Sequence, residues 1–337
     1  MQKAEPGFSV QQEQKKYRLV AVVVTYNRLD QLMVTVQRLL QFDMAELDAV
    51  VVVDNASTDG TGDWLARFDD PRLVVHRHAE NGGGAAGFES GMRLAVERFD
   101  PDWLLVMDDD ARPEPDALRA FHGLPADKWD AVAAAVYFPS GEICEMNRPS
   151  RNPFWHWEEF WRTARGGRGG FHLRPECYEG PPVEIDVTSF VGLFVSRRAI
   201  EMVGYPDHRL FIYGDDGLYT LGLRIAGGRI GFEPTIRFEH DLTTFDGQRG
   251  RFRPLWKVYY YHRNLLMLYR LAAGWMFWPA LAVIVPKWLV KRRDHPGDED
   301  VFDALIRRAI CDGLREDVST THSEIVAMVE GKSLARM

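Results

Sequence analysis

Cysteine is scarce: Cys144, Cys177 and Cys311 are the only three in 337 residues, and no two form a CxxC pair. That spacing excludes a disulfide framework and a zinc-ribbon signature, and it fits a reducing cytoplasm. Internal repeats and low-complexity tracts are missing too, which argues against solenoids and tails. The start is polar through Lys16, with no apolar core of a signal peptide, so residues 1–17 read as a flexible leader. No uninterrupted apolar run reaches the ~18 residues expected of a membrane-spanning helix. The chain has no GxxxxGK[ST] loop and no GxGxxG after its first apolar run, which weakens ATPase and NAD-binding readings. A net charge of -8 argues against a nucleic-acid partner. These absences leave a cytoplasmic globular protein.

What is present begins with buried-strand sequence. Leu19–Thr25, Ala49–Val53, Leu73–His76 and Trp103–Met107 are runs rich in valine and leucine, as in parallel strands covered on both faces. Between them, Asp30–Leu40, Asp59–Phe68 and Gly84–Phe99 carry helical patterns. Strand and helix alternate, which predicts an α/β fold with a mostly parallel sheet flanked by helices. Further on, Ala131–Phe138, Val183–Val195, Arg229–Phe232 and Ile236–Glu239 have strand character, and Asp215–Ala226 is helical. Residues 147–182 are rich in Pro, Gly, Trp and Arg without a clear period, and read as a long acceptor-side loop or lid at about 150–182. Helical, aromatic-rich sequence follows from about Leu255, with last helices near Asp300–Leu314 and His322–Val329.

The most informative feature is Asp108-Asp109-Asp110 at the end of the fourth strand run. Open α/β sheets bind ligands at the carboxyl edge of their strands. So much like charge needs a shared cation, and oxygen ligands suit Mg²⁺ or Mn²⁺, which would in turn hold phosphates. Asp54 ends the second strand run, where an acid can bond a ribose or a base edge; Ser57 and Asp59 beyond it serve equally well as turn and cap residues. Asn81-Gly82-Gly83 opens a helix, where glycines let N–H groups approach an anion, or simply make a tight turn. Asp215-Asp216 starts another helix, and capping explains one of these carboxylates better than two.

Three segments in order carry a resemblance: Val22-Val23-Val24-Thr25-Tyr26-Asn27-Arg28, Val53-Asp54-Asn55-Ala56-Ser57-Thr58-Asp59-Gly60-Thr61 and Met107-Asp108-Asp109-Asp110-Ala111. Together they resemble the signatures of the family 2 glycosyltransferases, inverting enzymes of the GT-A fold, over roughly residues 18–245. Asn81 to Phe88 is similar to an element of the galactofuranosyl- and rhamnosyl-transferase branch. The resemblance implies that Thr25, Tyr26, Asn27, Arg28, Asp54, Asn55, Asn81, Gly82, Gly83 and Asp109 hold a nucleotide-sugar donor. It implies that Asp108, Asp110 and His240 bind Mn²⁺ or Mg²⁺. It makes Asp216 the catalytic base, with Asp215 turned toward the acceptor. UDP-galactofuranose is the first donor it suggests and dTDP-rhamnose the second, with a glycan or lipid-linked acceptor. A metal-dependent nucleotidyltransferase or a non-catalytic nucleotide-sugar-binding protein is the reading from another class. The former calls for a basic, Gly-rich loop after strand one, which Thr25-Tyr26-Asn27-Arg28 does not resemble.

Residues 246–337 read as a helical, basic and aromatic C-terminal extension. From Arg249 to Arg293 there are ten Lys/Arg and no Asp/Glu, interleaved with tryptophan and tyrosine. That mixture suits an anionic membrane surface, placing the protein on the inner face of the cytoplasmic membrane. Pro279 and Pro286 are expected to interrupt any spanning helix there. A capping or dimer-forming helix pair, and with it a homo-oligomer, is the competing use of these aromatics.

Overall fold

The computed structural model describes residues 17–125, 127–242 and 251–334. The leader through residue 16 and the junction at 243–250, which holds the expected domain boundary and Arg249, lie outside the described residues. The first half alternates as expected: β1 (Leu19–Thr25), α1 (Leu29–Leu40), β2 (Ala49–Asp54), α2 (Thr61–Arg67), β3 (Leu73–Arg77), α3 (Gly83–Phe99) and β4 (Trp103–Asp108). β5 (Ala111–Pro113), α4 (Ala117–His122) and β6 (Ala131–Tyr137) follow. Then come α5 (Trp157–Gly166), β7 (Val183–Ile185), β8 (Leu193–Ser196), α6 (Arg197–Val203), α7 (Asp215–Ile225) and β9 (Ile230–His240).

Among the described residues the strands form one sheet in the order β3-β2-β1-β4-β8-β6-β9-β5, with β7 also on β9. β1 to β4 pair in parallel, β8 runs antiparallel to both β4 and β6, and β6 and β9 are parallel. β1 and β2 are buried along their whole length, which is why their side chains do not alternate in polarity. Leu32, Val36 and Leu39 of α1 cover one face, and Phe88, Met92 and Ala95 of α3 cover the other.

Several expectations need correction. Arg229–Phe232 and Ile236–Glu239 are one strand, β9; Pro234 hid its continuity, and the pairing with β6 absorbs the irregularity by a register shift between Ala134 and Ala135. Val183–Val195 is two strands separated by a turn. Residues 147–182 are not an irregular excursion: they hold α5 and two short 3-10 turns, pinned where Ser150 N–H donates to Val187 O (2.8 Å) and His156 Nε2 meets Asp186 Oδ2 (2.7 Å).

The C-terminal region comprises α8 (Lys257–Ala273), α9 (Phe277–Val290), α10 (Glu299–Arg315) and α11 (His322–Leu334). Neither proline breaks α9. Pro279 sits in its first turn, where amides lack partners anyway, and Pro286 is carried inside the helix at the loss of one backbone bond. The helical path Lys257–Asp294 is long and apolar enough to cross a membrane by length and composition, although it contains no uninterrupted apolar run of that length. Its α8 half, however, packs into protein around the fully buried Arg263. That leaves α9, whose 14 residues fall short of the ~20 that a span requires.

α3 lies close on the sheet because Gly91 leaves room for Val22 and Val53; a Cβ there would lie 2.8 Å from Val53 Cγ2. Gly91→Ala is expected to cost about 1–3 kcal/mol, read as a lower urea midpoint with unchanged slope.

Candidate active site

Parallel pairing aligns the ends of three strands: Thr25 stands opposite Asp54, and Val24 opposite Asp108. β4 then turns through Asp109 and Asp110 into β5, which pairs with the last residues of β9 so that Ala111 faces His240. That short ladder is what brings a histidine 130 residues away against the acids, with His240 Nε2 3.0 Å from Asp110 Oδ1. One ligand atom each from Asp108, Asp110 and His240 lie within 4.8 Å of one another. Two carboxylates and an imidazole fit a divalent ion of the Mn²⁺ type, so the residues present suit a metal.

His240 is aimed by residues the sequence reading missed. Asn147 Nδ2 donates to Ser189 Oγ (2.9 Å), which leaves its Oδ1 to accept from His240 Nδ1 (2.7 Å) and turns Nε2 toward the acids. No motif marks Asn147; it lies at the edge of a segment with no readable period.

Arg28 supplies positive charge. Its Nη1 donates to Asp110 Oδ2 and to Asp109 Oδ1 (3.3 Å). Asp109 also accepts from Thr25 Oγ1 (2.6 Å), so Thr25 and Asp109 hold each other. Burial and the neighbouring Asp110 and Asp109 charges push Asp108 well above the usual carboxylate range, and Asp215 is close enough to add to the shift. Burial takes Asp109 to about 6 despite Arg28 and Thr25. Burial also acts on Asp110, but His240 and Arg28 outweigh it and hold that carboxyl low.

Other expected donor-site residues have varied settings. Tyr26 is exposed, and Asn27 bridges two loops by accepting from Thr58 N–H (2.7 Å). Asp54 is fully buried, with Oδ1 on Ser57 N–H (2.8 Å) and Oδ2 3.3 Å from Arg77 Nε. Asn55 donates to Gly83 O (3.0 Å). Asn81 Oδ1 accepts from Gly83 N–H (2.9 Å) and Gly82 caps α3. What approaches Gly83 is protein backbone: its φ is +81° and a Cβ would collide with Phe211 O, which accepts from Ala85 N–H (3.1 Å).

That contact leads to the second acid pair. Phe211 and Tyr213 both hold φ of 67°, a conformation costing roughly 1–3 kcal/mol each outside glycine. α8 enforces it. Asn264 Nδ2 lies 2.7–3.0 Å from the carbonyls of Leu210, Ile212 and Tyr213. Arg263, stacked by Tyr259 and Tyr260, donates to Leu210 O (3.0 Å). The result fixes Asp215 and Asp216 at the start of α7, the first buried and the second part-exposed. Burial and the Asp216 charge raise Asp215 to about 7, and burial raises Asp216 to about 6. Lys257, at the start of α8, is pushed down by burial and by Arg28, which puts a C-terminal cation near Arg28 and so near the acids that Arg28 binds. Nothing in the sequence distinguishes it from the nine other basic residues of that stretch.

Residues 20–180 match the family described as Glycosyl transferase family 2. The undecaprenyl-phosphate mannosyltransferase of Micrococcus luteus is 38% identical over 144 residues, covering 42% of this chain and 56% of that protein. Galactofuranosyltransferase GlfT1 of Mycobacterium tuberculosis is 30% identical over 201 residues, covering 58% and 61%. The chain thus spans about six tenths of the length of these curated relatives. In fold it is similar to the mannosyltransferase PcManGT from Pyrobaculum calidifontis in complex with GDP-Man and Mn²⁺, with a TM-score of 0.52 at 17% identity over 96% of this chain and 81% of that one. It is also similar to GalNAc-T7 with UDP, GalNAc and Mn²⁺, with a TM-score of 0.52 at 13% identity over 75% and 47%. The fold is GT-A with a helical C-terminal region, and residues 20–180 carry the likeness to glycosyl transferase family 2, with similarity to its galactofuranosyltransferase branch.

Two outcomes follow. Asp108 has a folded-state pKa above its unfolded one, so its ionisation costs the fold stability increasingly as pH rises above about 4. Asp108→Asn is therefore expected to raise Tm at pH 7 in chelator, with the advantage shrinking toward pH 4 in a melting series. Asn147→Leu should weaken Mn²⁺ binding by about 10–100-fold, measured by calorimetry.

Proposed function

We propose that this protein is an inverting, metal-dependent glycosyltransferase. It moves galactofuranose from UDP-galactofuranose to a hydroxyl of a glycan or lipid-linked acceptor in cell-surface polysaccharide synthesis. The observation that carries the reading is the meeting of the Asp108, Asp110 and His240 cluster with the strained, α8-clamped Asp215-Asp216 pair in one cleft. The likeness to GlfT1 supports the donor; dTDP-rhamnose is the second donor to try. The Micrococcus luteus relative, named for undecaprenyl phosphate, supports a lipid-linked acceptor.

In the proposed reaction, Asp216 accepts the proton of the acceptor hydroxyl as that oxygen bonds the anomeric carbon. The bond from that carbon to the diphosphate breaks on the opposite side, so one displacement inverts the centre. A general base of this kind contributes about 10²–10⁴-fold. Asp108, Asp110 and His240 would hold Mn²⁺ or Mg²⁺, whose charge offsets that of the departing diphosphate. Arg28 and Lys257 are the side-chain cations beside that position, and Thr25 keeps Asp109 oriented. Asp54 and Asn55, at the end of β2, border the nucleoside side. Burial alone brings Asp216 to about 6, which suits a base near neutral pH, while burial and the Asp216 charge raise Asp215 beside it to about 7.

The basic, aromatic stretch from Arg251 to Arg293 supports work at the inner face of the cytoplasmic membrane. α9 turns Trp278, Val283 and Val290 outward, and Lys287 and Arg293 stand exposed near its end.

Incubation with UDP-galactofuranose, Mn²⁺ and a short galactan should release UDP and lengthen the glycan. UDP binding without glycan extension would favour a non-catalytic sugar-nucleotide-binding protein, and pyrophosphate release a nucleotidyltransferase. EDTA should abolish transfer and Mn²⁺ restore it; full activity in excess EDTA rejects the metal assignment. Asp216→Asn should lower kcat at least about 10²-fold while leaving UDP affinity nearly unchanged. The wild-type kcat/KM should fall on the acid side with an apparent pKa near 6, where the base takes up its proton.

A further inference from the structure

Helix α5 is amphipathic with its apolar side outward. Trp157, Phe160, Trp161 and Ala164 share one face by their spacing. Trp157 is 72% and Trp161 43% exposed, whereas the buried residue of the helix is Glu159, tied to Arg151 (3.1 Å). A helix on a globular protein normally does the reverse. The rings stack on one another, Trp157 and Phe160 nearly parallel with centroids 5.6 Å apart and Trp161 edge-on to Trp157 at 5.4 Å. This makes a ridge rather than the open shelf on which a sugar ring would lie.

The segment leading into α5 is tied to the end of α8, just before α9. Asn152 Nδ2 donates to Ala272 O in the last turn of α8 (3.0 Å). Trp155, 42% exposed, follows Asn152 by three residues, and Trp275, 84% exposed, follows Ala272 by three. Three residues of chain reach at most about 11 Å, so both indoles stand near one hydrogen bond. The charges suit an anionic surface: Arg165 is exposed on α5, and the exposed Glu158 is taken up by Arg174 (2.8 Å).

We propose that α5 and α9 form a single two-part docking face for an anionic lipid bilayer, with the α5 ridge entering the boundary between headgroups and acyl chains. The proposal rests on the membrane setting given above. It adds a second foot outside the basic C-terminal stretch. One helix lying on a bilayer leaves the protein free to rock about the helix axis. Two fix its tilt, and with it the height of the acid cleft above the leaflet.

The test is sedimentation of the full chain with vesicles of phosphatidylglycerol and phosphatidylcholine, for the wild type and for Trp157→Ser with Trp161→Ser. Both positions are exposed, so Tm should stay the same. Partitioning should fall roughly tenfold in the double variant, and brominated lipids should quench wild-type tryptophan emission more than that of the variant. Transfer to a short water-soluble acceptor should be unchanged. Equal vesicle binding by both proteins overturns the proposal and leaves α9 as the sole contact. A raised KM for the soluble glycan with vesicle binding intact assigns the ridge to sugar recognition instead. A loss of self-association by light scattering, again with binding intact, assigns it to a second copy of this chain. Absence of soluble transfer in the wild type would count against the glycosyltransferase reading alone, because the vesicle measurement does not require turnover.

Discussion

Like charge is concentrated at the carboxyl edge of the sheet, and much of the surrounding architecture answers to it. Asp109 and Asp110 are buried side by side at the end of β4, with Asp108 just before them. Three carboxylates in so little space repel one another and lose hydration at once. Arg28 and the Thr25 hydroxyl from the end of β1 and His240 from the end of β9 converge on them from two different strand ends. The sheet order makes this possible, because β1 is the direct neighbour of β4 while β5 returns the chain to β9. The cost of burying acids is what gives the strand ends a common purpose.

The second acid pair depends on a different force. Its loop is held in an unfavourable backbone conformation by amide and guanidinium donors from α8. The C-terminal helices are therefore part of the site rather than an appendage to a finished domain. Arg263 is fully buried: Nε and Nη2 donate to an amide oxygen and to carbonyls while Nη1 has no hydrogen-bond partner, an arrangement that costs solvation yet leaves little freedom to the loop it holds.

Local pattern carried the reading of the first 110 residues. Strands such as Val50 to Val53 are apolar throughout, and the helices between them are clearly periodic, so both fold class and strand-end acids were legible. Legibility failed where a local rule was overridden. Pro234 split β9 on paper, and the register shift rejoined it in space. α5 escaped notice because its apolar residues do not face the core. β5, at three residues, is too short for any period, yet it explains why His240 meets Asp110. Asn147 and Asn264 had no signal at all, since their roles exist only through partners distant in sequence: His240 for one, Leu210 to Tyr213 for the other.

The clamp on that loop has a consequence for the order in which the protein is made. Asn264 and Arg263 reach back to Leu210–Tyr213, while Gly313 of α10 lies so close to Arg263 that a Cβ would come within 2.9 Å of its carbonyl oxygen. Every strand of the sheet would already have been synthesised before either clamp residue existed. Until residues near 313 emerged, Phe211 and Tyr213 would be free to relax out of their strained conformations. The nascent chain would thus own the Asp108–Asp110 acids but no fixed Asp215-Asp216 pair, whose loop would be clamped only once residues near 313 had emerged.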